Sequence, residues 1–162
     1  MVVLEQEIAS IIRFILDSTT GLTPYYHQVP ESFVVPSVYF PQPVFMSRGE
    51  TFATYALEYD WLIKFFASTD AEAQANAAIA LNAICAARRL VPLIDESGQP
   101  VGRGVRLKDP ELKKADDNAY QIELRWDSRR PYNAEEYQKM MHYNLDIYTD
   151  EAYRAAVTKI TE

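Results

Sequence analysis

TYALEYDWLIKFF, Thr54 to Phe66, is the stretch that decides the fold. In an extended chain Tyr55, Leu57, Tyr59, Trp61, Ile63 and Phe65 fall on one side, and Thr54, Glu58, Asp60 and Lys64 on the other. A period of two, with aromatic and branched residues on one face, predicts a long strand buried on that face. YQIELRWD, Tyr120 to Asp127, repeats the pattern: Tyr120, Ile122, Leu124 and Trp126 alternate with Gln121, Glu123, Arg125 and Asp127. VVPSVYF, Val34 to Phe40, is a third extended run.

Helices flank these strands. Leu4, Ile8, Ile11, Ile12, Ile15 and Leu16 repeat at helical spacing and predict an amphipathic helix over about residues 3–18, ended by Ser18, Thr19, Thr20 and Gly21. Its other face (Glu5, Gln6, Ser10, Arg13, Asp17) is only weakly polar and suits a neighbouring subunit as well as water. Thr69 and Glu72 form a capping box, so an Ala-rich helix follows the long strand and runs to about Leu90, where Pro92 ends it. One face of that helix carries Ala73, Ala77, Ala80, Leu81, Ile84 and Ala87, widened by Ile79, Ala83, Ala86 and Leu90. Cys85 reads as a small core residue.

Pro24 to Val29 reads as a short strand. Pro30, Pro36, Pro41 and Pro43 forbid helix and make Phe33 to Phe40 edge-like. Pro41 to Gly49 reads as a loop whose Val44, Phe45 and Met46 are apolar enough to meet a partner or to tuck against their own subunit. Val105 to Lys108 is a further short strand, Asp109-Pro110 a turn, and Lys113 to Asn118 a polar segment. Beyond Tyr132, Asn133 caps a helix to about Tyr143, and a second runs from about Thr149 to Thr158; both are rich in Tyr and Met. The expected architecture is α+β: a mostly antiparallel sheet packed against an N-terminal helix and a long Ala-rich helix, with a helical C-terminal arm. The boundary falls between 1–132 and 133–162.

The 162 residues carry a net charge of −7, with 48% hydrophobic and 24% charged residues. Such acidity disfavours a grip on duplex DNA, whose affinity comes from cations that neutralise phosphates. Arg103, Arg106 and Lys108, then Lys113 and Lys114, then Arg125, Arg129 and Arg130 are interleaved with acids and read as a solvated or interface face. The single cysteine excludes an intrachain disulfide and a Cys-based zinc site. No apolar run reaches the roughly 18 residues that span a bilayer. Glu5 and Glu7 stand where a signal peptide would be basic, so the chain is expected to be cytosolic when made.

Catalytic patterns are absent. There is no G-x-S-x-G or H-E-x-x-H, and His27 and His142 lack ligand spacing. Gly102-Arg103-Gly104 does not open a helix, so it is no phosphate cradle. Glu58 and Asp60 share a strand face and are expected to meet solvent or Arg125 across the sheet. The expectation from these patterns is a protein with no cofactor, no metal and no enzymatic role.

Four runs carry a family likeness: PSVYFPQP (Pro36 to Pro43), YALEYDWLIKFFAST (Tyr55 to Thr69), RRLVPLIDESG (Arg88 to Gly98) and ELRWDSRRPY (Glu123 to Tyr132). With the Ala-rich helix, they resemble tail terminator proteins of long-tailed bacteriophages, above all those of contractile-tailed phages and prophages of Gram-positive bacteria. The resemblance implies a virion protein, made in the bacterial cytoplasm, that forms a hexameric ring in the tail or neck. It implies contacts with tail tube protein, the head-side connector and, in contractile systems, the sheath. DNA would pass through the lumen without specific binding. Val44, Phe45 and Met46 are then the expected apolar anchors; Arg48, Arg103, Arg106 and Lys108 are contact residues. Arg129 and Arg130 are rim or intersubunit pairs, and Tyr137, Met140 and Met141 belong to the arm's contact surface. Two rival readings are a head–tail connector of similar size and a small enzyme or ligand-binding module.

Overall fold

A computed structural model describes residues 5–133, and the following concerns those residues. In chain order the elements are α1 (Gln6–Ser18), β1 (Thr23–Tyr26), β2 (Ser37–Phe40), β3 (Val44–Gly49), β4 (Thr54–Phe66), α2 (Asp70–Ala86), β5 (Leu90–Ile94), β6 (Pro100–Arg106), β7 (Lys108–Asp116) and β8 (Ala119–Pro131). One sheet runs β1-β2-β4-β8-β7, with β3 also on β4; β5 and β6 form a separate hairpin. Only β1 and β2 are parallel.

The sheet is built on β4 and β8. They pair without a register shift from Thr54↔Pro131 to Phe66↔Ala119. Their inner face presents Tyr59, Trp61, Ile63, Phe65, Ile122, Leu124 and Trp126, all buried. Tyr59 and Trp126, directly opposite, stack at 4.7 Å and 3°, and Trp61 meets Trp126 at 6.0 Å. Cross-strand aromatic pairs of this kind stabilise a sheet beyond the area they bury. Onto this face α1 lays Ile8, Ile11, Ile12 and Ile15, while α2 lays Ala77, Ala80 and Ile84. The alanines let α2 approach closely, and Thr69 caps it by accepting a hydrogen bond from the Glu72 amide at 3.2 Å.

Carboxylates fasten the start of α1 to the sheet. Glu7 accepts from the Trp126 indole at 3.1 Å and from the Ser128 hydroxyl at 2.7 Å. Glu5 accepts from the Tyr59 hydroxyl and pairs with Arg130 at 3.1 Å. Ser10 is buried; it donates to Gln6 O and accepts from Ile94 N, which ties α1 to the β5–β6 hairpin. The weakly polar face of α1 is thus partly engaged within the chain.

Several expectations are corrected. Pro41–Gly49 is not all loop: Val44–Gly49 is a strand on β4. Both β2 and β3 lie along the same edge of β4. Between Tyr39↔Lys64 and Val44↔Asp60 four residues oppose three, a bulge at Pro41-Gln42-Pro43 after which every residue again has an amide to donate. Nor is β2 an edge, since β1 covers its other side. Lys108–Asp116 is a strand, not a turn and a polar segment. The last strand continues past Trp126 to Pro131.

The Ala-rich helix stops at Ala86, because Arg88 and Arg89 take positive φ (55° and 60°) and turn the chain into β5; Pro92 lies inside that strand. Cys85 is exposed, and so are Ile79, Ala86 and Leu90; the buried stripe is Ala73, Ala77, Ala80 and Ile84. One residue past Ile84 is about 100° around the helix.

Trp126→Ala removes a fully buried ring that stacks on Tyr59 and hydrogen-bonds to Glu7 of α1. It should lower unfolding stability by about 3–5 kcal/mol in thermal or urea denaturation. Glu7→Ala should cost about 1–3 kcal/mol, because it strands the Trp126 N–H and the buried Ser128 hydroxyl; Glu7→Gln, which retains an acceptor, should cost less.

Candidate interaction surface

β3 is an edge strand: among the described residues it pairs with β4 alone. Three consecutive apolar side chains on it are exposed, Val44 at 72%, Phe45 at 56% and Met46 at 65%. Val44 and Met46 stand on the outer face beside Asp60 and Glu58, while Phe45 packs on Tyr59 at 5.2 Å. The pairing with β4 runs unbroken from Val44↔Asp60 to Gly49↔Tyr55, so the strip is rigid.

At the tip of the β3–β4 hairpin Phe52 is fully exposed. The turn that carries it is well tied. Thr51 Oγ1 accepts from the amides of Ala53 (3.1 Å) and Thr54 (3.0 Å), and Ala53 O accepts from Tyr132 N at 3.0 Å. Sequence reasoning passed over Phe52; the signal was an aromatic in the polar run GETFAT between two strands.

Behind β3 lies an open groove of about 540 Å³, lined by Ile8, Ile12, Tyr26, Phe40, Phe45 and Trp61 among others. Its titratable groups are Glu5, Tyr26, His27 and Tyr59. Glu5 is already held by Arg130 and Tyr59, and burial followed by the Glu5 hydrogen bond pushes the Tyr59 hydroxyl well above its ordinary value. The groove thus offers apolar contact area with few polar groups to direct chemistry.

The outer face of the sheet is a lattice of ion pairs. Arg48 pairs with Glu58 at 2.6 Å and reaches Asp127 at 3.9 Å; Lys108 pairs with the same Asp127 at 2.5 Å. Glu58 thus pairs with Arg48, and Asp60 stands opposite Arg125 in register. Lys113 bridges Glu111 and Glu123, and Arg129 clasps Glu50 through two bonds of 2.6 and 2.8 Å. The hydrogen bond from Arg129 holds Glu50 below the usual carboxylate range; those from Lys114 and Lys113 do the same for Asp70 and Glu111.

The two terminal arginines, Arg129 and Arg130, are therefore paired inside the chain. Arg103 and Arg106, on β6, form no ion pair among the described residues, although Arg106 lines a pocket with Lys108 and Asp127. Tyr137, Met140 and Met141, with both expected C-terminal helices, lie outside the described residues. Among the described residues no group of three or more His, Cys, Asp or Glu side chains could hold a metal ion, and no helix is long and apolar enough to cross a membrane.

Comparison with known proteins finds relatives, among them a protein of a phage-like element, and likenesses among solved structures. The phage-like element PBSX protein XkdJ of Bacillus subtilis strain 168 is 32% identical over 133 residues, 82% of this chain and 90% of that protein. The protein YqbJ of the same strain matches at the same identity and coverage. A chain from the virion of a native gene transfer agent particle superposes with a TM-score of 0.45 at 16% identity, over 76% of this chain and 93% of that one. That likeness is too loose to bear on function. No family model matches.

The lowered carboxylates predict acid sensitivity. Their stabilising contribution is complete above the unfolded-state values, 4.5 for Glu50 and Glu111 and 3.8 for Asp70, and is lost as pH falls through the lower folded values. The urea midpoint should hold between about pH 7 and 5 and drop below about pH 4. A midpoint that rises on acidification would contradict the ion-pair lattice.

Proposed function

The chain belongs to the family of phage-element proteins that includes XkdJ, and from that membership we propose that it is a structural virion protein without enzymatic activity. In this reading six copies close a ring at the head-proximal end of a phage tail or tail-like particle. The ring caps the tail tube, ends its polymerisation and offers its other side to the head-side connector. In a contractile particle it also meets the last sheath ring. DNA passes through without specific binding. Residues 1–132 form the ring body and 133–162 an arm that adds contacts.

The observation that carries the proposal is the rigid apolar edge: Val44, Phe45 and Met46 in a row, with Phe52 fully exposed at the hairpin tip. Exposed apolar strips on a small domain mark surfaces that are covered in an assembly. They sit on a sheet rather than a loop, so they are held in one geometry before any partner arrives, and that lowers the entropic cost of association. The ordered turn around Phe52 has the same effect. The resemblance in the four sequence runs, Pro36 to Pro43 and those after it, supplies the specific role.

The test uses tail tube protein of the same element. Added to polymerising tube protein, the wild-type chain should shorten the tubes and appear by negative-stain imaging as a cap at one end. Met46→Lys, at an exposed site, should leave the unfolding temperature nearly unchanged and abolish capping. Tubes of unaltered length with the wild-type chain would overturn the terminator reading. A ring of twelve that ignores tubes would favour the connector instead.

A further inference from the structure

Edge strands with unpaired backbone groups invite further strands, and proteins guard the edges they keep free with proline, lysine, bulges or short length. The described edges differ sharply in this respect. β7 contains Pro110, carries Lys108, Lys113 and Lys114, and shifts register twice against β8. β1 has four residues, one of them Pro24. β5 contains Pro92 and an irregular register. Two edges lack such guards. One is β3, which holds neither proline nor lysine and has no bulge. The other is the end of β6, Arg103 to Arg106, which lies past Pro100 and the positive-φ Gly102; the space beside Gly104 is filled by Leu90 of its own hairpin.

These two surfaces are complementary. The β3 strip has apolar Val44, Phe45 and Met46 beside Asp60, an exposed carboxylate in no ion pair among the described residues. The β5–β6 hairpin exposes Leu90 and Val101 beside Arg103 and Arg106, which are likewise in no ion pair among the described residues. This contrasts with the neighbouring outer sheet face, where Arg48, Lys108, Lys113 and Arg129 are each matched to a carboxylate. The positions are also compatible. β8 lies between them: β6 touches β8 on one side, whereas β3 is separated from β8 by β4 on the other. A patch on one flank that fits a different patch on the other flank is the requirement for head-to-tail closure of a ring.

We propose that the β3 strip of one copy receives the β6 hairpin of the next copy, with Asp60 facing Arg103 and Arg106 across the contact. The occupant of the β3 edge is thus a second copy of this chain. The contact rests on the ring reading for its closure, but it specifies which surfaces meet.

A charge swap tests it in the full-length chain. Asp60→Arg alone should reduce the assembled species roughly tenfold, by placing like charges together. Arg103→Asp with Arg106→Asp should do the same. The three substitutions in one chain should restore assembly to near the wild-type level. All three positions are exposed, so circular dichroism should show each variant folded.

As a second measurement, Met46→Cys and Arg103→Cys, both made in a Cys85→Ala background, should cross-link on oxidation when the two single variants are mixed, and neither should cross-link alone. Assembly that is insensitive to either reversal, a triple variant that stays unassembled, or Met46→Cys chains that link to each other would overturn the proposal. If the wild-type chain forms a ring of six while the swap fails, only this contact is wrong. If the wild-type chain never assembles, even with tube protein, the ring reading falls with it.

Discussion

Everything in the described domain depends on the unbroken pairing of β4 with β8. A slip of β8 by one residue would turn its own inner row to solvent and bring its charged row into the core. Ile122, Leu124 and Trp126 would leave the helices, and Glu123, Arg125 and Asp127 would take their place opposite the unchanged inner face of β4. The register is therefore fixed by the cost of burying those charges. The aromatic stack of Tyr59 on Trp126 adds a direct cross-strand contact. The two carboxylates at the start of α1 use the same register. Glu7 reaches Trp126 and Ser128, two positions apart on one face of β8, and Glu5 reaches Tyr59 and Arg130.

A guarded flank and an unguarded flank grow from this one scaffold. On the β7 side, proline, lysines and bulges keep further strands away. On the β3 side the chain leaves an even, apolar, well-ordered edge. The second arrangement is a hazard for a lone domain, because such edges recruit unspecific strands. It is sensible when assembly covers the edge soon after folding, and this is what links the fold to the proposed role in a particle.

Much of this architecture could be read directly. The limits of β4 match the alternating run Thr54 to Phe66, because both flanks carry strong signals: inward aromatics and outward charges. The N-terminal helix and the Thr69 cap were legible for similar reasons. What escaped were strands without alternation. VFMSRG faces solvent on both sides, so burial imposes no period on it, and the prolines before it suggested a longer loop. KDPELKKAD was hidden by Asp109-Pro110, which an edge strand tolerates.

The early end of α2 was hidden as well, because Arg88 and Arg89, and not glycine or asparagine, take the left-handed turn. On the surface, Val44, Phe45 and Met46 stood out for their apolar character alone, and the fold leaves them exposed. Phe52 did not, since a single aromatic in a short polar run is a weak signal without periodicity. Which charges are paired was beyond the sequence altogether: it needs the register that brings Arg48 to Glu58 and leaves Asp60 next to Val44.

The most direct measurement is the mass of the purified chain by native mass spectrometry, alone and with tail tube protein. The account predicts six copies, either as a free ring or as a cap formed when tube ends are supplied. A chain that remains a monomer in the presence of every tail component would contradict it.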